Sequence, residues 1–190
     1  MKILLLWTAI AVSHPRILLT IDQLEPPPQP EEWVCPVMAL GSDVPEQSGT
    51  WRFTPDVLVC DRGPVTMSRV QRAVGYWEAL GYTFGSVRQA TPDHFGCATN
   101  KVPFNTIMID IPSQSFKMGT HLGSTKTWRN AEANRIIKAK IEIIPAWGAT
   151  ERILEHEFGH ALGWNDIHHT GHIMNGAWSL GGFGSEGLRK

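Results

Sequence analysis

Two histidines four residues apart, His156 and His160, open the stretch HEFGHALGWNDIHHTGHIMN, residues 156 to 175. On an α-helix, side chains four positions apart project from one face, so both imidazoles can bind the same cation. Glu157 follows the first histidine, where its carboxylate can reach a water on that cation without being a ligand itself. The pattern therefore indicates a helix with a metal site on one face. It favours zinc, which suits imidazole ligands.

The third metal ligand must come from beyond this helix, because two imidazoles are too few for a stable zinc site. Gly163 stands three residues after His160 and can take the left-handed conformation that ends a helix and turns the chain back. Asp166, three residues further on, is then carried towards the ion. His168 and His169 remain alternatives, because they follow closely in the same loop.

These residues resemble the zinc motif of the metzincin clan of endopeptidases, H-E-x-x-H-x-x-G-x-x-H or D followed by a methionine turn. HEFGHALG looks most like matrixins, and Met174 lies at the matrixin interval, whereas an aspartate as third ligand is similar to snapalysin-type enzymes. The resemblance implies one catalytic Zn²⁺ held by His156, His160 and Asp166. It also implies that Glu157 is the general base and then the general acid, with Met174 packed beneath the ligands.

Weaker likenesses cover residues 51 to 180. The segment LGST, residues 122 to 125, followed by IIKAKIEII, residues 136 to 144, resembles the strand that pairs with an extended peptide substrate in this clan. Some members carry a tyrosine two residues after the methionine, where this chain has Gly176. Transition-state charge is therefore expected on the metal and on backbone donors near Ala139.

Hydrophobic spacing predicts the elements around the motif. Residues 56 to 61 read as an apolar strand, and the segment after Pro64 repeats apolar side chains every three or four positions, as in a helix ended by Gly81. Two further strands are predicted at residues 105 to 111 and 134 to 144. The expected fold class is α/β (α+β), a metzincin-like zincin with a mixed twisted sheet, an active-site helix and a Met-turn.

The last of these strands alternates apolar residues with Lys138, Lys140 and Glu142. A period of two with charges on one side predicts a strand with one exposed face. Thr150, shortly after it, is the expected cap of the active-site helix.

The N-terminal part is expected to be removed or to act as a linker. Residues 1 to 13 join one lysine to a short apolar run, which favours a signal peptide over an N-terminal strand or core segment. Residues 14 to 50 include LEPPPQPEE and suit a Pro-rich pro-segment or linker. The zinc metallopeptidase catalytic domain is then residues 51 to 190.

Three cysteines, Cys35, Cys60 and Cys97, suit an exported protein with one disulfide and one free thiol. Spacing does not choose among the three pairs. A disulfide from Cys35 to Cys60 or Cys97 is favoured over the alternative in which the Cys35 thiolate covers the metal of a latent enzyme.

The formal net charge is -1, which gives no global attraction to nucleic acid or to an anionic membrane. His94 and His121 stand alone in the sequence, and no acidic loop resembles the calcium sites of matrixins. The expected protein is a monomeric zinc endopeptidase, secreted or extracellular with a periplasmic location also open, without stable membrane association after signal cleavage, acting on peptides or proteins. The alternative is a zinc-containing binding module, or an inactive metzincin homologue, without hydrolysis.

Overall fold

The computed structural model describes residues 44–112, 121–130 and 133–190. The predicted signal peptide, most of the predicted pro-segment and Cys35 lie outside these residues, so the expectations about them stay predictions. In the described part, no helix has the length and apolar character needed to cross a membrane.

The described residues form one mixed sheet of six strands, mostly parallel, with few helices. In chain order the elements are β1 (Thr50–Trp51), β2 (Asp56–Val59), α1 (Met67–Glu78), β3 (Val87–Gln89), α2 (Phe95–Thr99), β4 (Thr106–Asp110), β5 (Gly123–Asn130), β6 (Arg135–Ile143) and α3 (Ile153–Ala161), with 3₁₀ turns at Pro145–Trp147 and Trp178–Leu180.

The parallel strands lie in the order β3, β2, β4, β6, and β5 pairs antiparallel with β6. Arg135 and Ile136 of β6 pair with β1 as well as with β5, so β1 lies on the same side of β6 as β4. Both edges of β6 are therefore occupied.

Helices α1 and α3 cover one face of the sheet. The hydroxyl of Thr66 accepts a bond from the backbone N–H of Arg69, so α1 begins at Met67 rather than at Pro64. Its apolar side packs against α3 and the sheet, with Trp77 fully buried at the centre. The helix ends near Gly81, whose φ of 96° confirms the expected left-handed stop.

The mixed α/β fold class is confirmed, as are the strands predicted around residues 56 to 61, 105 to 111 and 134 to 144. Hydrophobic spacing missed β1, β3, β5 and α2, although the resemblance covers LGST at the start of β5. Three of these have only two, three and five residues, which is too short for a periodic pattern to mark them.

Two expectations about β6 are wrong. Lys140 and Glu142 are 5% and 3% exposed, because β6 is an interior strand and they form an ion pair with each other on the face away from the helices. Nor is an edge of β6 left to pair with a substrate. Ala139 is fully buried and pairs with Ile107 and Thr127, so its backbone does not serve as a donor to the site.

The disulfide joins Cys60 at the end of β2 to Cys97 in α2. The expectation that Cys35 pairs with one of them is therefore wrong. Cys60 and Cys97 pack with Leu58 and Met108 in a small apolar cluster on the face of the sheet away from α1 and α3.

Residues 47 to 49 contact the exit of α3. The Gln47 side chain donates to the carbonyl of Leu162, and the backbone N–H of Ser48 donates to that of Gly163. These residues pack with the folded domain, although the predicted boundary, which stays a prediction, falls after them.

Candidate metal site

The helix that carries the histidines begins after Arg152, whose φ is 72° and whose side chain makes no capping bond. The expected cap at Thr150 is wrong, because the helix begins at Ile153 and the cap position is therefore Arg152. The Arg152 side chain points inward. Its guanidinium lies 4.3 Å from the centre of the Trp178 ring and donates to the Trp178 carbonyl at 3.0 Å. Arg152 thus fastens the start of α3 to the segment that follows Met174.

Three candidate ligands converge on one point. The Nε2 atoms of His156 and His160 lie 3.1 Å apart, and each is 3.4 Å from Oδ1 of Asp166. Among the residues that the structure describes, these three form the single group with the geometry to hold a metal ion. The histidine side chains are 15% and 16% exposed, and Asp166 is 49% exposed, so one side of the group faces solvent.

Backbone carbonyls fix the orientation of both imidazoles. Nδ1 of His156 lies 2.8 Å from the carbonyl oxygen of Ile173, and Nδ1 of His160 lies 2.8 Å from that of Trp164. Since a carbonyl oxygen only accepts, Nδ1 must carry the proton in each contact. In its neutral form each ring then directs the lone pair of Nε2 towards the common point.

Gly163 ends the helix and turns the chain towards Asp166. Its φ is 99°, as the sequence led us to expect, and a side chain here would overlap the backbone of Gly49. Gly176 lies against the aspartate, since a Cβ there would come within 3.1 Å of the Asp166 Cγ. Gly176 therefore leaves room for this carboxylate.

Met174 is fully buried under α3. A side chain at Gly159 would overlap its sulfur, so the glycine on the helix makes room for the methionine. The Met174 backbone N–H donates to Nδ1 of His172 at 3.0 Å, and Nε2 of His172 lies 3.1 Å from the Glu186 carbonyl. His172 thus organises the turn and is not a member of the ligand group.

Glu157 lies on the buried side of α3, where it is 5% exposed. Its Oε2 accepts a hydrogen bond from the hydroxyl of Thr125 on β5 at 2.7 Å. Burial raises the pKa of this carboxyl, while the positive charge of His160 and the bond from Thr125 oppose that shift. The carboxylate sits between the helix and the first residues of β5.

The two histidines of the ligand group differ in pKa. Burial, together with the positive charge of His160, lowers the pKa of His156 to about 4. Burial also acts to lower the pKa of His160, but its hydrogen bond to Asp166 and the charge of that carboxylate raise the value to about 9. The same bond lowers the pKa of Asp166 against the effect of its burial. Without metal, His160 therefore holds a proton next to an ionised Asp166.

His168 and His169 are exposed and stand outside the ligand group, and the His169 ring stacks on that of His172. His121 is less isolated than the sequence suggested, because its charge helps to lower the pKa of Asp166. Sequence reasoning did not place Thr125 next to Glu157, because the two residues stand 32 positions apart and no local pattern signals their contact.

Comparison with protein-family models, with curated proteins and with solved structures finds no match to this chain.

Proposed function

We propose that this protein is a secreted, zinc-dependent endopeptidase of the metzincin type that hydrolyses peptide bonds. The observation that carries the proposal is the convergence of Nε2 of His156, Nε2 of His160 and Oδ1 of Asp166 on one point, near enough to Glu157 for the charge of His160 to act on the pKa of its carboxyl. Zinc would be held by these three atoms.

The separations of the three atoms support zinc as the ion. Ligand bonds of about 2.0 to 2.2 Å in a tetrahedral site separate the ligand atoms by about 3.3 to 3.6 Å. The two distances to Asp166, both 3.4 Å, fall in this range, and the two imidazole nitrogens at 3.1 Å are about 0.2 Å closer than it. Three protein ligands leave a fourth position open, which favours a catalytic site over a closed structural one.

When bound, zinc supplies Lewis acidity, which polarises a carbonyl and lowers the pKa of a coordinated water to about 7. Glu157 accepts the proton of the attacking water and then delivers it to the nitrogen of the leaving amine. Its buried position favours the return of this proton, because burial raises the pKa of the carboxyl above its ordinary value. Asp166 keeps its negative charge beside the two neutral imidazoles.

The substrate strand in this proposal is β5 rather than β6. Within the part of the chain that the structure describes, Gly123 and Thr125 pair with β6 alone, and both lie against Glu157. An extended peptide added beside them would place a peptide bond next to the base.

The test is hydrolysis of casein and of a fluorogenic peptide by the zinc-loaded protein, its Glu157→Gln variant and a chelated sample. We expect Glu157→Gln to lower kcat by about 10²- to 10⁴-fold while zinc stays bound. Zinc added back should restore the chelated sample. Glu78→Gln, which changes an exposed carboxylate on α1, is the matched control and should not alter the rate.

Wild-type activity in Glu157→Gln would refute the mechanism. If the wild-type protein binds one zinc but hydrolyses nothing, Cys35→Ala separates two explanations. Activity in that variant would indicate a latent enzyme, and continued inactivity would favour the zinc-containing binding module.

A further inference from the structure

The carboxylate of Glu157 is held by β5 as well as by its own helix. Gly123 and Thr125 are two positions apart on this strand, so both face the same side of the sheet, towards α3. Thr125 contributes a hydroxyl next to Glu157, and Gly123, which has no side chain, leaves room for the Glu157 carboxylate.

The hydroxyl of Thr125 lies 2.7 Å from Oε2 of Glu157 and 3.0 Å from the Glu157 backbone carbonyl. Both partners only accept, so the hydroxyl is the donor, and the bond to the charged carboxylate is the stronger of the two. Threonine is branched at Cβ and has few side-chain rotamers, so this donor is held in place by the strand.

The space comes from Gly123. A Cβ at this position would lie 2.7 Å from Oε1 and 2.9 Å from Cγ of Glu157, closer than a Cβ comes to another heavy atom in proteins. Since its φ is not in the left-handed region, alanine is compatible with the backbone here. An alanine at position 123 would therefore move the carboxylate and leave the strand in place.

From these contacts we propose that Thr125 is a positioning residue, which with the space left by Gly123 holds the carboxylate of Glu157 at the place where β5 takes the substrate. This inference rests on the proposed endopeptidase function. One strand then aligns both the peptide and the base that acts on it, and neither Thr125 nor Gly123 belongs to the metal ligand group.

The experiment uses the full-length zinc-loaded protein with Thr125→Val, Thr125→Ser and Gly123→Ala. Valine keeps the shape of threonine and removes the donor, whereas serine keeps the donor. The matched control is Thr106→Val, since Thr106 is a buried strand threonine whose hydroxyl donates to the Phe104 carbonyl. The readouts are kcat and KM on a peptide, the zinc dissociation constant, and the position of Glu157 in a crystal structure of each variant.

We expect Thr125→Val and Gly123→Ala to lower kcat by about 10- to 100-fold, the cost of a misplaced catalytic group. KM and the zinc dissociation constant should change by less than about threefold, because the ligands are untouched. In the crystal structures of these two variants the Glu157 carboxylate should have moved. Thr125→Ser, which keeps the donor but not the branched carbon, should restore most of the rate lost in Thr125→Val, and Thr106→Val should keep the wild-type rate.

Two outcomes would overturn the positioning role. The first is an unchanged kcat in Thr125→Val with Glu157 in its wild-type place. The second is a loss of zinc in parallel with activity, which would mean that Thr125 only supports the fold. Inactivity of both the wild-type protein and its Cys35→Ala variant would instead refute the proposed endopeptidase, and the role of Thr125 with it.

Discussion

On one face of the sheet, side chains of β2, β4 and β6 pack against α1 and α3 in a continuous apolar core. On the other face, a small apolar cluster around the Cys60–Cys97 disulfide lies beside two ion pairs, Arg62 with Asp110 and Lys140 with Glu142. The first face is closed by two helices of 12 and 9 residues, whereas α2 has only five. On the face that has no long helix, a disulfide and two ion pairs therefore contribute to stability.

The helical face also contains a buried ion pair, which joins α1 to α3. Arg69 on α1 donates to both carboxylate oxygens of Glu155 on α3, at 2.7 and 2.8 Å, and both side chains are almost fully buried. The Trp77 indole N–H donates to the Glu155 backbone carbonyl. These bonds fix α1 against the helix that carries the candidate metal ligands.

The largest expected effect on stability comes from breaking this pair. Glu155→Gln should lower the free energy of unfolding of the metal-free protein by about 3 to 5 kcal/mol, because Arg69 is left buried with its charge uncompensated. Urea denaturation measures the change. Glu151→Gln, on an exposed residue four positions earlier, should cost less than about 0.5 kcal/mol.

The double variant Arg69→Met with Glu155→Leu tests whether the charges of this ion pair are needed for stability. It should recover most of the loss, since apolar side chains of similar volume often replace a buried ion pair without cost. A single-variant cost below about 1 kcal/mol would show that apolar packing alone holds the two helices together.

A smaller effect is expected on the opposite face. Replacing both Cys60 and Cys97 by alanine should lower the free energy of unfolding by about 2 to 4 kcal/mol, because the bond closes a loop of 37 residues. Zinc affinity should change by less than about threefold, since the metal site lies on the helical face. Loss of zinc in this variant, measured by competition with a chromophoric chelator, would mean that the two faces are not independent.

The smallest effect concerns protons at the candidate site. Because the pKa of His160 is raised to about 9 in the metal-free protein, zinc must displace one proton at neutral pH. Affinity should therefore fall about tenfold for each unit that the pH drops below about 9. Chelator competition at pH 6, 7 and 8, corrected for the chelator, measures this slope.

Asp166→Asn is the matched variant for that measurement. It removes the charge that raises the pKa of His160, so affinity should be weaker overall and less dependent on pH between 7 and 8. A wild-type affinity that is flat over that range would contradict the assignment of the proton to His160.

Local patterns in the sequence predicted much of the candidate site. His156, Glu157, His160, Gly163 and Asp166 fall within eleven residues, so the pitch of one helix and one left-handed glycine bring them close together. The structure brings the three predicted ligands to one point, and their role as ligands stays a prediction. The main helix and three strands were predictable for the same reason, because their apolar side chains repeat at a fixed period.

The remaining features of the fold depend on contacts between residues that are far apart in the chain. Alternation along β6 correctly separated its two faces, but the burial of Lys140 and Glu142 depends on neighbouring strands and on the amide of Asn100, with which Lys140 also bonds. The pairing of Cys60 with Cys97 likewise follows from where α2 packs against the sheet.

The sequence by itself determined the helix, its exit and the chemistry of the candidate ligands, since each depends on neighbours within a few turns of the chain. Only the tertiary structure decided which strand lies beside Glu157 and which side chain holds its carboxylate. Thr125 meets Glu157 across 32 residues because β5 pairs with β6 and packs along α3. Contacts of that kind arise from packing between elements, for which a single sequence has no periodic signal.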